Sequence, residues 1–132
     1  MKALALAAAL VVGVLHVGPA AAAEPHAPSV AHKVYPPDTQ AARDWAWRRL
    51  GAREFACLDW IGHRESGWRV RAGSPSANYG IFQSYPASKM RRFGADYLTS
   101  AMTQTRFGIA YANGRYGSPC AAWAAWQRQG WW

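Results

Sequence analysis

Two cysteines, Cys57 and Cys120, limit the fold of this 132-residue chain more than any other feature. In an exported chain, an even pair favours a disulfide over a catalytic thiol. By the chain-entropy model, closing a loop of about 64 residues would stabilise the fold by roughly 4 kcal/mol. That is comparable with the whole net stability of a small domain. The pair therefore predicts a fold that brings the two cysteines together, and a reduced, buried pair is the alternative.

The first 23 residues predict export. Lys2 is followed by a short, mostly apolar run over residues 3–17, and then by Gly18, Pro19 and four alanines. This order of a charged start, an apolar stretch and a small-residue cleavage site is typical of a secretory signal peptide. The run is shorter than the about 20 apolar residues that a membrane span needs. We place cleavage after Ala23, so that the mature chain has 109 residues, one domain and no integral membrane segment.

Charge and composition narrow the function classes. Fifteen Lys and Arg against seven Asp and Glu give a net charge of +8, or about +7 without Lys2. A secreted protein this basic should associate with polyanions such as anionic cell-wall polymers, although the charge could serve solubility alone. The apolar fraction of 51% argues against intrinsic disorder. Cytosolic metabolism, membrane transport and multidomain regulation are poor explanations for such a chain.

The mature chain divides into a linker and one domain. Residues 24–37 hold four prolines and predict an extended linker, which leaves residues 38–132 for the folded domain. Asp38 is expected to cap a helix over residues 39–50 that Gly51 ends. We expect Trp45 and Leu50 of this helix to face inward. Three of its residues should face water: Arg43, Arg48 and Arg49.

The rest of the chain predicts further helices and little β structure. The predicted segments are a helix over 53–65 ended by Ser66 and Gly67, a loop or short hairpin over 68–80, short helical pieces over 81–94, a helix over 100–113 and a last helix over 119–127. We find neither an internal repeat nor the alternation of a strand. The fold class is mainly α, a compact helical domain with at most a small β-hairpin.

Glu65 is the strongest candidate for chemistry. It ends the apolar stripe of the second helix, whose other members are Phe55, Leu58 and Ile61. Burial without a partner is costly for a carboxyl group, and it raises the pKa so that the acid stays protonated near neutrality. A protonated acid in a cleft can donate its proton to a leaving oxygen, as in glycosidic-bond cleavage. The alternative is a solvated, structural Glu65 beside Arg64 or Arg69.

Other chemistries find less support. His63 and Glu65 form an H-x-E pattern, but Pro119-Cys120 is followed by Ala-Ala-Trp and lacks the second cysteine of a zinc deaminase. No serine lies in a Gly-x-Ser-x-Gly setting, so a catalytic triad is equally unsupported. We therefore expect neither a metal nor a cofactor.

Aromatic residues are abundant near the predicted loops and helix ends. They are Trp68, Tyr79, Tyr85, Tyr111, Trp126, Trp131 and Trp132. Such rings can stack on sugars or on bases, or can simply pack. Because no nucleic-acid-binding module accompanies them and the chain is predicted to be exported, we expect no nucleic-acid partner.

Three segments carry a resemblance to a known family. They are Glu65-Ser66-Gly67-Trp68, Asn78-Tyr79-Gly80-Ile81-Phe82-Gln83, and Arg115-Tyr116-Gly117-Ser118-Pro119-Cys120-Ala121-Ala122-Trp123. In this order and spacing, residues 55–132 resemble the small secreted transglycosylase-like domains of the lysozyme superfamily. The closest likeness is to SLT-type domains of Gram-positive bacteria and to the C-terminal domain of aggregation-promoting factors. One departure is that Ala124-Ala125-Trp126 stands where the family has a more polar stretch.

The resemblance implies a lysozyme-like α+β fold and a role for each matching residue. Glu65 would be the general acid and later the base, and Ser66 would position a substrate group or cap the helix. The middle segment would bind the sugar through Tyr79, Gly80 and Gln83. Tyr111 would line the cleft beside the acid, and Cys120 would pair with Cys57.

The number of carboxylates fits the activity that the resemblance implies. Ordinary glycosidases use two carboxylates, and neither Asp59 nor Asp96 is an evident partner for Glu65. The resemblance implies a lytic transglycosylase, a cell-wall-associated enzyme that cleaves the MurNAc–GlcNAc β-1,4 bond of peptidoglycan and leaves 1,6-anhydro ends. We expect a monomer, because nothing in the sequence demands a partner chain. The alternatives are a muramidase helped by Asp96 or another carboxylate, a wall-binding protein without turnover, and a secreted nucleic-acid binder.

Overall fold

The computed structural model of the protein describes residues 33–132. The predicted signal peptide and residues 24–32 of the predicted linker lie outside the described residues. Within the described part, the helices are α1 (Pro37–Ser66), a 3₁₀-helix (Ala87–Phe93), α2 (Ala101–Tyr116) and α3 (Pro119–Gln129). The β structure there consists of isolated bridges from Tyr79 to Gly73 and to Ser84. The prediction of a mainly α domain with at most a small β element is confirmed.

Helix α1 consists of two helical segments joined at Gly51. This residue has φ 77° and ψ 166°, a left-handed conformation that favours glycine, and it marks the break predicted between two helices. The prediction that Asp38 caps the first segment was wrong, since α1 begins at Pro37 and no side chain caps it. Proline suits the first helical position because it has no N–H to satisfy there. Asp38 lies instead in the first turn, where a carboxylate interacts favourably with the helix dipole.

The later helices begin and end on local signals. The hydroxyl of Ser100 accepts a hydrogen bond from Thr103 N at the start of α2, and the hydroxyl of Ser118 does the same for Ala121 N in α3. The two helices extend three and two residues beyond their predicted ends, to Tyr116 and Gln129. No helix within residues 33–132 has the length and apolar character that crossing a bilayer requires.

The core lies where α1, α2 and α3 pack together. Its buried members include Leu58, Ile61, Ile81, Phe82, Ile109 and Ala122. The predicted disulfide between Cys57 and Cys120 is confirmed, and it joins α1 to α3. Beside it, Glu54 Oε2 accepts a 2.9 Å hydrogen bond from Cys120 N, so a residue of α1 satisfies a free amide in the first turn of α3.

Arg43 corrects one of the predicted orientations. Trp45 and Leu50 pack against the core and Arg48 and Arg49 are exposed, as predicted, but the Arg43 side chain is only 13% exposed. Its guanidinium pairs with the Asp59 carboxylate and lies 4.7 Å from the centre of the Trp68 ring. Burial is favourable here because an ion pair and an aromatic face satisfy the cation together.

Candidate active site

A cleft of about 260 Å³ opens at the C-terminal end of α1. Its aromatic lining consists of Phe82, Tyr85, Phe107, Tyr111, Trp131 and Trp132, and its polar lining of Glu65, Asn78, Gln83, Ser84 and Lys89. Glu65 is the only carboxylate among the described residues that line it. A concave site with a few polar groups on an aromatic wall is the usual form of a small-molecule or sugar site.

The end of α1 places Glu65 at this cleft. The helix ends at Ser66 and is capped by Gly67, which has a φ of 64°, and Trp68 N donates a 3.1 Å hydrogen bond back to Gly62 O. The Trp68 ring is buried and lies edge-on to Phe82, with 5.5 Å between the ring centres. These contacts fix the last turn of the helix and hence the position of the carboxyl group.

Within residues 33–132, Glu65 forms no ion pair with a cationic side chain. Its Oε1 accepts a 2.7 Å hydrogen bond from Trp126 Nε1. Burial raises the pKa of Glu65, and this hydrogen bond acts in the opposite direction but more weakly. Neither neighbouring arginine forms an ion pair with it: Arg64 lies over the Trp126 ring, and Arg69 Nε donates to Ser66 O at 2.8 Å. The alternative in which Glu65 is held by an arginine is therefore not the arrangement found.

The segment of residues 78–83 contributes Asn78, Phe82 and Gln83 to the cleft wall. Tyr79 and Ser84 exchange two backbone hydrogen bonds of 3.1 and 2.9 Å. A Cβ on Gly80 would lie 2.4 Å from Gln104 Oε1, so only glycine fits there. Gln83 has a left-handed φ of 49°, and its Nε2 donates a 2.9 Å hydrogen bond to Gly80 O. The tight turn thus turns the Gln83 side chain toward the cleft.

Gln104 is a structural residue that the sequence did not reveal. It is fully buried on α2, where its Oε1 accepts a 2.8 Å hydrogen bond from Ile81 N. Its Nε2 donates to Val70 O at 3.0 Å and to Tyr97 O at 2.9 Å. One side chain therefore ties the cleft wall to two other loop segments. A glutamine in the middle of a helix gives no sequence signal of such a role.

The predicted site residues fall into two groups. Three of them line the cleft together: Glu65, Gln83 and Tyr111. The other three are buried behind it: Ser66, Tyr79 and Gly80. Ser66 Oγ donates a 2.8 Å hydrogen bond to Ile81 O, and Tyr79 OH donates one of 2.8 Å to Leu98 O. In this arrangement these groups hold the wall in place, and their polar atoms already have partners within the protein.

The aromatic wall of the cleft forms from distant parts of the chain. Tyr111 stacks on Phe107, with ring centres 5.6 Å apart, and meets Trp132 edge-on at 5.1 Å. Tyr111 was predicted beside the acid, whereas Phe107, Lys89 and Ser84 were not, and Trp132 was named only among the rings that could stack on a ligand or pack. Phe107 could have been inferred from its helical spacing of four from Tyr111.

The remaining candidate carboxylates lie elsewhere. Asp59 accepts a 2.7 Å hydrogen bond from Trp68 Nε1 and pairs with Arg43. Asp96 Oδ1 accepts a 2.6 Å hydrogen bond from Thr103 Oγ1, which lowers the pKa of this exposed carboxyl. Neither lines the cleft. Nor do three or more potential ligands (His, Cys, Asp or Glu) gather into a metal site anywhere in residues 33–132.

Comparison with known proteins yields no match to a family model, to a curated protein or to a solved structure. The residues of this chain and their geometry are therefore the basis for its function.

Proposed function

We propose that the protein is a secreted lytic transglycosylase that cleaves the MurNAc–GlcNAc β-1,4 bond of peptidoglycan. The observation that carries the proposal is the isolation of Glu65. It is the one carboxylate in the described lining of an aromatic cleft, burial raises its pKa, and its hydrogen-bond partner is the neutral indole of Trp126. A group in this setting can be protonated when the substrate binds and can lose its proton during the reaction.

The reaction needs only this one acid/base. Protonated Glu65 donates its proton to the glycosidic oxygen as the bond from that oxygen to the anomeric carbon of MurNAc breaks. The C6 hydroxyl of the same MurNAc then attacks the anomeric carbon and gives its proton to the Glu65 carboxylate. The products are a 1,6-anhydro end and a free GlcNAc 4-hydroxyl, no water is consumed, and Glu65 is protonated again.

The neighbours of Glu65 support this cycle. The N–H of Trp126 can stabilise the carboxylate that exists between the two proton transfers. Tyr111 and Trp132 offer aromatic faces to the apolar faces of sugar rings. Gln83 offers its amide oxygen, because its Nε2 already donates to Gly80 O, and Asn78 offers its amide group to the hydroxyl and N-acetyl groups. The net charge of +8 suits attachment to an anionic wall.

Two matched substitutions test the proposal. Glu65→Gln should slow the release of soluble fragments from purified peptidoglycan by at least about 100-fold, because a general acid contributes that much or more. The Glu65→Gln protein should still bind insoluble peptidoglycan and sediment with it. Asp96→Asn should cleave at close to the wild-type rate, because Asp96 lies outside the cleft.

Other results would favour one of the alternatives. Loss of cleavage in Asp96→Asn would favour a muramidase that uses a second carboxylate. Absence of cleavage by the wild type, together with wall binding, would favour a binding protein. Retention on DNA that falls steeply with salt, in place of wall binding, would favour a nucleic-acid binder.

A further inference from the structure

Three tryptophans form a stack that leads from the protein surface to the candidate acid. Trp60 lies on α1, and Trp123 and Trp126 lie on α3. The rings of Trp60 and Trp123 are 6.1 Å apart and inclined by 16°, and those of Trp123 and Trp126 are 5.4 Å apart and inclined by 21°. We call these three residues the tryptophan ladder. Its inner end, Trp126, donates the hydrogen bond to Glu65.

The outer end of the ladder is open to solvent. Trp60 is 53% exposed, although an indole gains free energy by burial. Neither Trp60 nor Trp123 lines the cleft, and the proposed reaction uses neither. A near-parallel stack with an exposed outer ring is therefore available to a ligand.

The ladder is also fixed before any ligand binds. The Cys57–Cys120 disulfide joins the two helices that carry it, and the bond from Cys120 N to Glu54 lies at the same junction. Trp123 packs against the core, which holds the middle ring in place. A ligand that stacks on this surface would lose little affinity to ordering of the protein.

We propose that the tryptophan ladder is a second glycan-binding subsite, on which an N-acetylhexosamine ring of the peptidoglycan strand stacks at Trp60. The proposal rests on the proposed function. A polymeric substrate continues on both sides of the bond that is cleaved, and the cleft accommodates only part of it. Since Trp126 contacts the acid, the ladder is continuous with the reacting site, and its outer rings, Trp60 and Trp123, lie outside the cleft lining.

The chemistry of the ladder suits a sugar polymer. Pyranose rings have apolar C–H faces that pack on indole rings, and a rigid aromatic surface gives this contact at low entropic cost. Arg64 is exposed and its guanidinium lies 5.7 Å from the centre of the Trp126 ring. This places a cation beside the ladder for the carboxylates of peptide stems.

The test compares two equally exposed tryptophans. Trp47 is 53% exposed, lies on the first segment of α1 and takes no part in the ladder. In the full-length mature Glu65→Gln protein, which should bind without cleaving, Trp60→Ala should weaken binding to purified insoluble peptidoglycan by about five- to tenfold. Trp47→Ala should change it by less than about twofold. Trp60→Phe, which keeps an aromatic face, should recover most of the affinity.

A second readout uses the active protein. On polymeric peptidoglycan, Trp60→Ala should raise KM and leave kcat near the wild-type value, because the ladder binds substrate and transition state alike. On a short glycan fragment that fills only the cleft, kcat/KM should be unchanged. Unfolding midpoints of the two alanine variants should fall by similar, small amounts, since both side chains are about half exposed.

The outcomes separate this proposal from the proposed function. Equal effects of Trp60→Ala and Trp47→Ala, or none, would overturn the subsite while leaving loss of cleavage in Glu65→Gln as evidence for the enzyme. A change in sedimentation with Trp60→Ala, without a change in wall binding, would make the ladder a contact between two copies of the chain. Full cleavage by Glu65→Gln would overturn the function itself, whatever the ladder binds.

Discussion

Trp126 donates a 2.7 Å hydrogen bond to Glu65, and this contact joins the end of α1 to α3 across 61 positions of the sequence. The donor is neutral, so it stabilises the carboxylate without holding it ionised as an arginine would. Burial acts in the other direction and more strongly, so that the pKa of Glu65 is raised. An acid that must donate and then accept a proton benefits from this balance.

The pH profile should depend on the Trp126 hydrogen bond. Trp126→Phe keeps a ring but removes the donor that lowers the pKa of Glu65, so the pKa should rise further. Because the acid works in its protonated form, the alkaline limb of kcat/KM should move to higher pH. Trp47→Phe changes a ring that does not line the cleft, and it should leave the alkaline limb in place. A limb that moves to lower pH in Trp126→Phe would contradict this role.

The ionisation of Glu65 should lower the thermal stability of the protein. Folding raises the pKa of this carboxyl group, so its ionised form lowers the free energy of unfolding. The loss is complete above the pKa of the folded state and absent below the pKa of the unfolded state. Glu65→Gln should therefore unfold at higher temperature than the wild type at pH 7. The difference should vanish below about pH 4, and thermal unfolding at a series of pH values measures it. A difference that is constant with pH would show that the ionisation of Glu65 is not its cause.

The disulfide should supply much of the net stability. Replacing Cys57 and Cys120 together by serine opens a loop of about 64 residues and should lower the free energy of unfolding by roughly 4 kcal/mol. Urea denaturation of the double variant and the oxidised wild type measures the loss. A loss below about 1 kcal/mol would mean that α1 and α3 hold together without the bond.

Gln104 should matter for both stability and turnover. Gln104→Leu leaves the amide of Ile81 and the carbonyls of Val70 and Tyr97 without partners, and should destabilise the fold by about 3 kcal/mol or more. The cleft wall should shift as well, so kcat should fall. The Gln40 side chain is exposed and, within the described residues, bonds only to Asp44, so Gln40→Leu should change stability by less than about 0.5 kcal/mol. Similar losses in the free energy of unfolding of both variants, measured by urea denaturation, would contradict the role of Gln104 in tying the cleft wall to the two loop segments.

Local features of the structure could be predicted from the sequence. Gly51 breaks α1 because a single glycine takes a conformation that other residues avoid, and this signal needs no knowledge of the rest of the chain. The hydroxyl of Ser100 accepts a hydrogen bond from the backbone N–H three residues later, and serine is a residue that commonly caps the start of a helix. The position of Glu65 at the end of an apolar stripe followed from helical spacing alone.

Features that depend on distant partners could not be predicted. Arg43 reads as a surface cation until Asp59 and Trp68 are placed beside it by the turn of the chain at Gly51 and Gly67. The partners of Gln104 include Val70, which lies 34 positions earlier. Hydrogen bonds over such separations leave no periodic pattern in the sequence. The residues around each partner are determined by the local structure there and carry no information about the other partner.

The most direct test of the central claim is the chemical form of the new glycan ends. Peptidoglycan digested by the mature protein in water enriched in oxygen-18 should yield 1,6-anhydro-MurNAc ends that carry no label, and Glu65→Gln should yield none, when the soluble fragments are analysed by mass spectrometry. Reducing ends that carry oxygen-18 would mean that water attacks the anomeric carbon, and would contradict a transglycosylase that works through Glu65 alone.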